Sequence, residues 1–104
     1  MDSIEYVRRV LDAYRSTPGT CGAVRKPDRA FALQLFTRGV SLAVVENALV
    51  LAAARRLMRP ADAPPLGVIR SLAYFAPVID EVLGLDVSEA YFQHIRQRLA
   101  RLPR

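Results

Sequence analysis

Between Ser41 and Leu57 the apolar residues are too many for one face of a surface helix. Leu42, Val45, Leu49, Ala52 and Leu57 share a face at helical spacing, and Val44, Ala48 and Leu51 widen it. A helix apolar over so much of its girth has to be enclosed by others. The segment is therefore expected to be the central helix of an all-α bundle, capped by Ser41 and ended by the Arg59-Pro60 break. No stretch alternates with the two-residue period of a strand, and no internal repeat is visible.

Four further helical segments fit around that centre, giving a compact bundle of about five helices. Ile4, Val7, Leu11 and Tyr14 predict a first helix over Ser3 to Arg15, capped by Asp2 or Ser3. Asp28 can cap a second, whose stripe is Phe31, Ala32, Leu35 and Phe36 and which Gly39 ends after Arg38. Val68 to Leu83 carries Ile69, Leu72, Phe75, Ile79, Val82 and Leu83 at helical spacing, but Pro77 interrupts it. Interior proline removes a backbone hydrogen bond, so this fourth region is one kinked helix or two short ones meeting near Ala76. After Gly84, Asp86-Val87-Ser88-Glu89 has the form of a capping box for a last helix that reaches about Leu102 and buries Tyr91, Phe92, Ile95, Leu99 and Leu102. The connection from 16 to 27, with Pro18-Gly19, Gly22 and Pro27, is long for so small a domain and is expected to be flexible or functional.

With 104 residues, 52% of them apolar and 24% charged, the chain is expected to form a single domain with its own core. Its longest apolar run, Ala48 to Ala54, is stopped by Arg55 and Arg56, far short of the roughly 20 residues that span a bilayer. Met1-Asp2-Ser3 followed by Glu5 lacks the charge and hydrophobicity of a signal peptide, and a single cysteine, Cys21, makes no internal bridge. A cytoplasmic setting without membrane contact is expected.

Catalytic chemistry finds little to stand on. One histidine, His94, and one cysteine lie in unrelated segments, which rules out a closed zinc site built from them. His94 falls on the polar side of the last helix beside arginines, where a surface role is expected rather than general-base catalysis. Gly19 and Gly22 do not make a phosphate-binding loop, since the preceding strand and the following Lys-Ser/Thr are missing. We expect no enzyme activity, no cofactor, no bound metal and no small-molecule substrate.

Charge is more informative. The net charge is +5, and all but one of the 15 cationic side chains are arginine, Lys26 being the exception. Guanidinium grips phosphate with a planar fork of donors, as ammonium does not. Codon usage and ordinary surface pairing also enrich arginine, so position has to decide. Arg9 with Glu5 and Arg8 with Asp12 stand at i, i+4 on the first helix and are expected to be neutralised there. Arg55, Arg56 and Arg59 crowd the end of the central helix. His94, Arg98 and Arg101 form a stripe on the last, with Gln97 and Arg104 beside it and no acid after Glu89. Arg25, Lys26 and Arg29 straddle the start of the second helix, and Arg70 stands alone. Unneutralised clusters suit contact with a phosphate backbone, although cations at a helix C-terminus are also favoured by the helix dipole alone. A base-reading helix-turn-helix around Gly39 is disfavoured: Leu42 to Val45 leave only Ser41, Glu46 and Asn47 to reach base edges. Tyr74 and Phe75 could stack on bases if exposed, or belong to the core.

The order of features from Leu35 to Leu83 resembles the C-terminal helical domain of DnaD-type primosome and phage or plasmid replication proteins. The resemblance covers about half of the chain. It rests on Gly39-Val40-Ser41, Val44-Val45, Ala48-Leu49, Ala52, a linker, Ser71-Leu72-Ala73-Tyr74-Phe75, Val78-Ile79 and Val82-Leu83. It implies single-stranded DNA binding through an aromatic, an aliphatic and a tryptophan at four-residue spacing. Phe75, Ile79 and Leu83 keep that spacing, the chain has no tryptophan, and Pro77 falls within the motif. The chain also resembles small helical proteins of bacterial mobile elements. The expected function is a non-catalytic accessory protein holding nucleic acid, DNA rather than RNA, by its phosphates. The alternative is a helical protein-interaction or oligomerisation module, motivated by surplus apolar surface on the central helix and on Leu72 to Leu83.

Overall fold

The structure, a computed structural model, describes residues 1–84 and 89–101. The capping box at Asp86 to Glu89, Leu102 and Arg104 lie wholly or partly outside the described residues. Five helices form an all-α bundle: α1 Ser3–Ser16, α2 Lys26–Thr37, α3 Leu42–Leu57, α4 Ala76–Leu83 and α5 Glu89–Arg101, with a 3-10 turn at Leu72–Phe75. No strand occurs among the described residues. Thr20 and Ile69 form one isolated bridge.

α3 is central, packing against α1, α4, α5 and the 3-10 turn, whereas α2 packs on α1 and the 3-10 turn. Small side chains make this possible. Ala48, Ala52, Ala53 and Ala54 are all buried, so neighbouring helices approach the α3 backbone closely while Val45, Leu49 and Leu51 fill the space between. Leu57, expected to face inward, is 39% exposed and lines an open pocket with Pro18 and the loop from Pro60 to Leu66. Around α3 the core is completed by Val10, Tyr14, Leu35, Leu72, Phe75 and Ile79, each contributing about 1.5–3 kcal/mol by leaving water.

Helix ends follow the local chemistry. The Asp2 carboxylate accepts the Glu5 amide at 2.8 Å, and the Ser41 hydroxyl accepts the Val44 amide at 3.2 Å. Gly39, at φ 77°, closes α2: its amide reaches the Phe36 carbonyl and that of Val40 reaches Leu35, both at 3.0 Å. Asp28 departs from expectation. α2 begins at Lys26, two residues earlier, and Asp28 is a buried residue of its first turn. Its carboxylate accepts the Arg25 amide at 2.8 Å and the Leu72 amide at 2.9 Å, which pins the 3-10 turn to the start of α2.

The fourth region is split rather than bent. Val68 to Ser71 is not helical, the 3-10 turn follows, and Pro77 lies in the first turn of α4, where its missing N–H has no intrahelical partner to lose. The connection from Thr17 to Arg25 carries backbone hydrogen bonds to this segment: Ile69 donates to Gly19 at 2.8 Å, and Cys21 donates to Ile69 at 2.9 Å. Among the described residues no helix is long and apolar enough to cross a membrane.

Candidate nucleic-acid interface

Subtracting the arginines that meet carboxylates leaves a shorter set than the sequence suggests. On α1, Arg8 reaches Glu5 and Asp12 at 3.6 and 3.5 Å, Arg9 reaches Glu5 at 3.2 Å, and Arg15 reaches Asp12 at 2.5 Å. Arg38 meets Asp80 at 3.4 Å. Arg55 was expected to lack an acid and does not. Its guanidinium grips Glu81 of α4 with both terminal nitrogens, Nη1 to Oε2 at 2.7 Å and Nη2 to Oε1. That fork holds the Glu81 carboxyl below its usual range and raises Arg55 above its own. The pair joins segments 26 residues apart, so helical spacing could not reveal it.

Arg56 is held differently. It donates to the Gly67 carbonyl at 2.6 Å and to the Tyr74 hydroxyl at 3.2 Å, with its guanidinium carbon 5.8 Å from the centre of the Tyr74 ring. Gly19, at φ 94°, gives it room, since a Cβ there would lie 3.1 Å from Nε. Arg56 therefore keeps its charge while tying the linker after α3 to the 3-10 turn. Its primary role in this geometry is structural.

Among the described residues no ion pair reaches Arg59, Arg98, Arg101, Arg25, Lys26, Arg29 or Arg70. Two grooves flank the end of α3. One, of about 540 Å³, has Leu51, Ala54 and Ile95 as its floor and Arg55, Met58, Tyr91, His94 and Arg98 around it. The other, of about 300 Å³, lies between Arg55, Arg56 and Arg59 on one side and Leu66, Tyr74 and Val78 on the other. The end of α3 thus joins the α5 stripe to Arg59, with Arg55 shared by both grooves. Arg101 is exposed further along the same α5 stripe.

Tyr91 was expected in the core and is 50% exposed. The signal was present, because Tyr91, His94, Arg98 and Arg101 stand at i, i+3, i+7 and i+10 on a single face of α5. Tyr74 is 46% exposed, while Phe75 beside it is fully buried. Of the three positions at four-residue spacing, Phe75 and Ile79 are core residues and Leu83 is exposed. Of the polar residues that could reach base edges from the turn at Gly39, Asn47 is buried and accepts a hydrogen bond from Arg96 of α5.

Arg25, Lys26 and Arg29 form a second exposed patch at the start of α2. The chain from Gly67, held by Arg56, to Leu72, held by Asp28, connects this patch to the α3 end and displays Arg70 on the way. Inside this junction the Tyr14 hydroxyl is buried with no hydrogen-bond partner at ordinary distance among the described residues, and burial, reinforced by the nearby Asp28 charge and the Cys21 side chain, pushes its pKa up to about 12. Among the described residues no group of three His, Cys, Asp or Glu side chains could hold a metal ion.

No protein-family model matches the chain, and comparison with curated proteins and with solved structures finds no match.

Proposed function

We propose that this chain is a non-catalytic accessory protein that binds nucleic acid through phosphate. The observation that carries the reading is the separation of its charges. Carboxylates neutralise the arginines of α1, Arg38 and Arg55, while among the described residues none meets Arg59 and Arg98 at the end of α3 or Arg101 further along α5. Tyr74 and Tyr91 offer exposed rings beside them. Arginine forks in open grooves suit phosphate oxygens, and such contacts position a nucleic acid without reading its sequence. Arg59, Arg98 and Arg101 are the principal contacts, with His94 and Arg56 beside them and Arg25, Lys26, Arg29 and Arg70 forming a second patch. Arg55 contributes when Glu81 releases it. The DnaD-like order of features favours DNA over RNA, and replication or mobile-element DNA transactions in the cytoplasm as the setting.

Fluorescence anisotropy with labelled single- and double-stranded oligonucleotides tests the reading. The wild type is expected to bind, and the Arg98→Ala, Arg101→Ala double variant to bind at least tenfold more weakly with an unchanged circular dichroism spectrum. Equal binding by the two proteins, or none by either at low salt, would refute it.

A further inference from the structure

Phosphate contact needs arginines but no apolar surface, yet the groove between α3 and α5 has one. The surplus apolar surface expected on α3 is mostly inside the core, but its edge at Leu51 and Ala54 joins Ile95 of α5 as the floor of this groove of about 540 Å³. Met58 and Tyr91 also line it, and both are about half exposed. The Tyr91 ring is held by an edge contact with Phe92, their centres 5.6 Å apart. Among the described residues no carboxylate lines the groove, whereas Arg55 and Arg98 do. An apolar floor, an exposed aromatic ring and cations at the edge are together what a flat base joined to phosphates requires.

We propose that this groove is a subsite for an unpaired nucleobase, laid against Tyr91 while Arg98 and Arg101 hold the neighbouring phosphates, so that the chain prefers single strands. The proposal rests on the phosphate reading above and adds the base to it. A base within a duplex is stacked on both faces, whereas an unpaired one is free to leave water for the ring and the floor. Every base has such a face, so the contact is tolerant of sequence. Phe75 and Ile79 take no part, being buried, and neither they nor Leu83 line the groove. Tyr74, the other half-exposed ring among these arginines, already carries the Arg56 guanidinium. The occupant is a strand rather than a free nucleotide because cations continue past the groove on both sides. From Tyr91 to Arg101 the α5 stripe runs roughly 15 Å at the helical rise, and Arg59 lies beyond Arg55 in the adjoining groove.

The test compares an oligothymidylate, an abasic oligomer of the same length and a duplex of the same length at low salt. The wild type is expected to bind the oligothymidylate roughly tenfold more tightly than the abasic oligomer. Tyr91→Ala is expected to lose that advantage and keep its affinity for the abasic oligomer, which also shows that it is folded; Tyr91→Phe is expected to match the wild type. Equal wild-type affinity for the three ligands, or an equal Tyr91→Ala loss on the abasic oligomer, overturns the base subsite and leaves the phosphate reading standing. Absence of binding to all three refutes both. Tighter binding by thymidine monophosphate or by an acidic amphipathic peptide, or a wild-type dimer that Tyr91→Ala dissociates, also overturns the proposal.

Discussion

Asp28 serves two elements at once, which explains why a carboxylate tolerates burial at the start of α2. It satisfies the amide of Arg25 outside the helix and that of Leu72 on a segment 44 residues away. Asp28→Ala leaves both donors without that acceptor and should cost about 2–4 kcal/mol in urea unfolding, with Asp28→Asn costing less because one acceptor remains. Sequence alone marked Asp28 as a helix-start residue. It could not show that its second partner lies across the fold. Tyr14 poses the converse case, a buried hydroxyl with no hydrogen-bond partner at ordinary distance among the described residues. Its folded pKa is raised from 10.0 to about 12, so the folded chain holds this proton more tightly than the unfolded one. Its ionisation leaves folding stability untouched below pH 10 and lowers it as pH rises from there through about 12. Circular dichroism recorded together with tyrosinate absorbance over that range should show unfolding coupled to Tyr14 ionisation. Tyr14→Phe should remove that coupling without loss of stability at neutral pH.

At the scale of elements, most helices were legible because their ends are written in local chemistry: Asp2 and Ser41 as caps, Gly39 as a left-handed stop, Pro77 in a first turn. The extended stretch before Leu72 was not, since Ile69 continues the helical apolar spacing while its backbone pairs with Gly19 and Cys21. The candidate interface was legible in the α5 stripe and at Arg59. It was misread at Arg55, whose carboxylate partner lies on α4, and at Tyr91, whose exposure depends on how far α3 covers α5. That pair gives a prediction of its own. Glu81→Gln removes the carboxylate charge, frees Arg55 for phosphate, and should raise nucleic-acid affinity several-fold while increasing the salt slope by about one. Lowering the pH should do the same for the wild type. The folded Glu81 pKa is depressed, so its ion pair holds above the ordinary value of 4.5 and is released as pH falls through the lower folded value. Arg55→Ala should change wild-type affinity near neutral pH much less than Arg98→Ala.

Across the whole molecule, charge falls into paired and unpaired sets. Carboxylates meet the arginines of α1, Arg38 and Arg55, whereas among the described residues none meets Arg59, Arg98 and Arg101 on the α3/α5 side or Arg25, Lys26 and Arg29 at the start of α2. Arginine enrichment from codon usage alone predicts no such sorting, and helix-dipole complementation accounts for cations at the C-terminal turns of α3 and α5 but not for the exposed Arg25, Lys26 and Arg29 at the start of α2, where the dipole disfavours them. A polyanion following the surface from α5 past the end of α3 is the arrangement that uses these groups together. The most direct measurement is the affinity for a DNA oligonucleotide across a salt series from about 50 to 200 mM. The account predicts a linear fall of log affinity with log salt, with a slope of roughly −3 or steeper that Arg98→Ala and Arg101→Ala each reduce by about one. A slope near zero, or one that these substitutions leave unchanged, would contradict it.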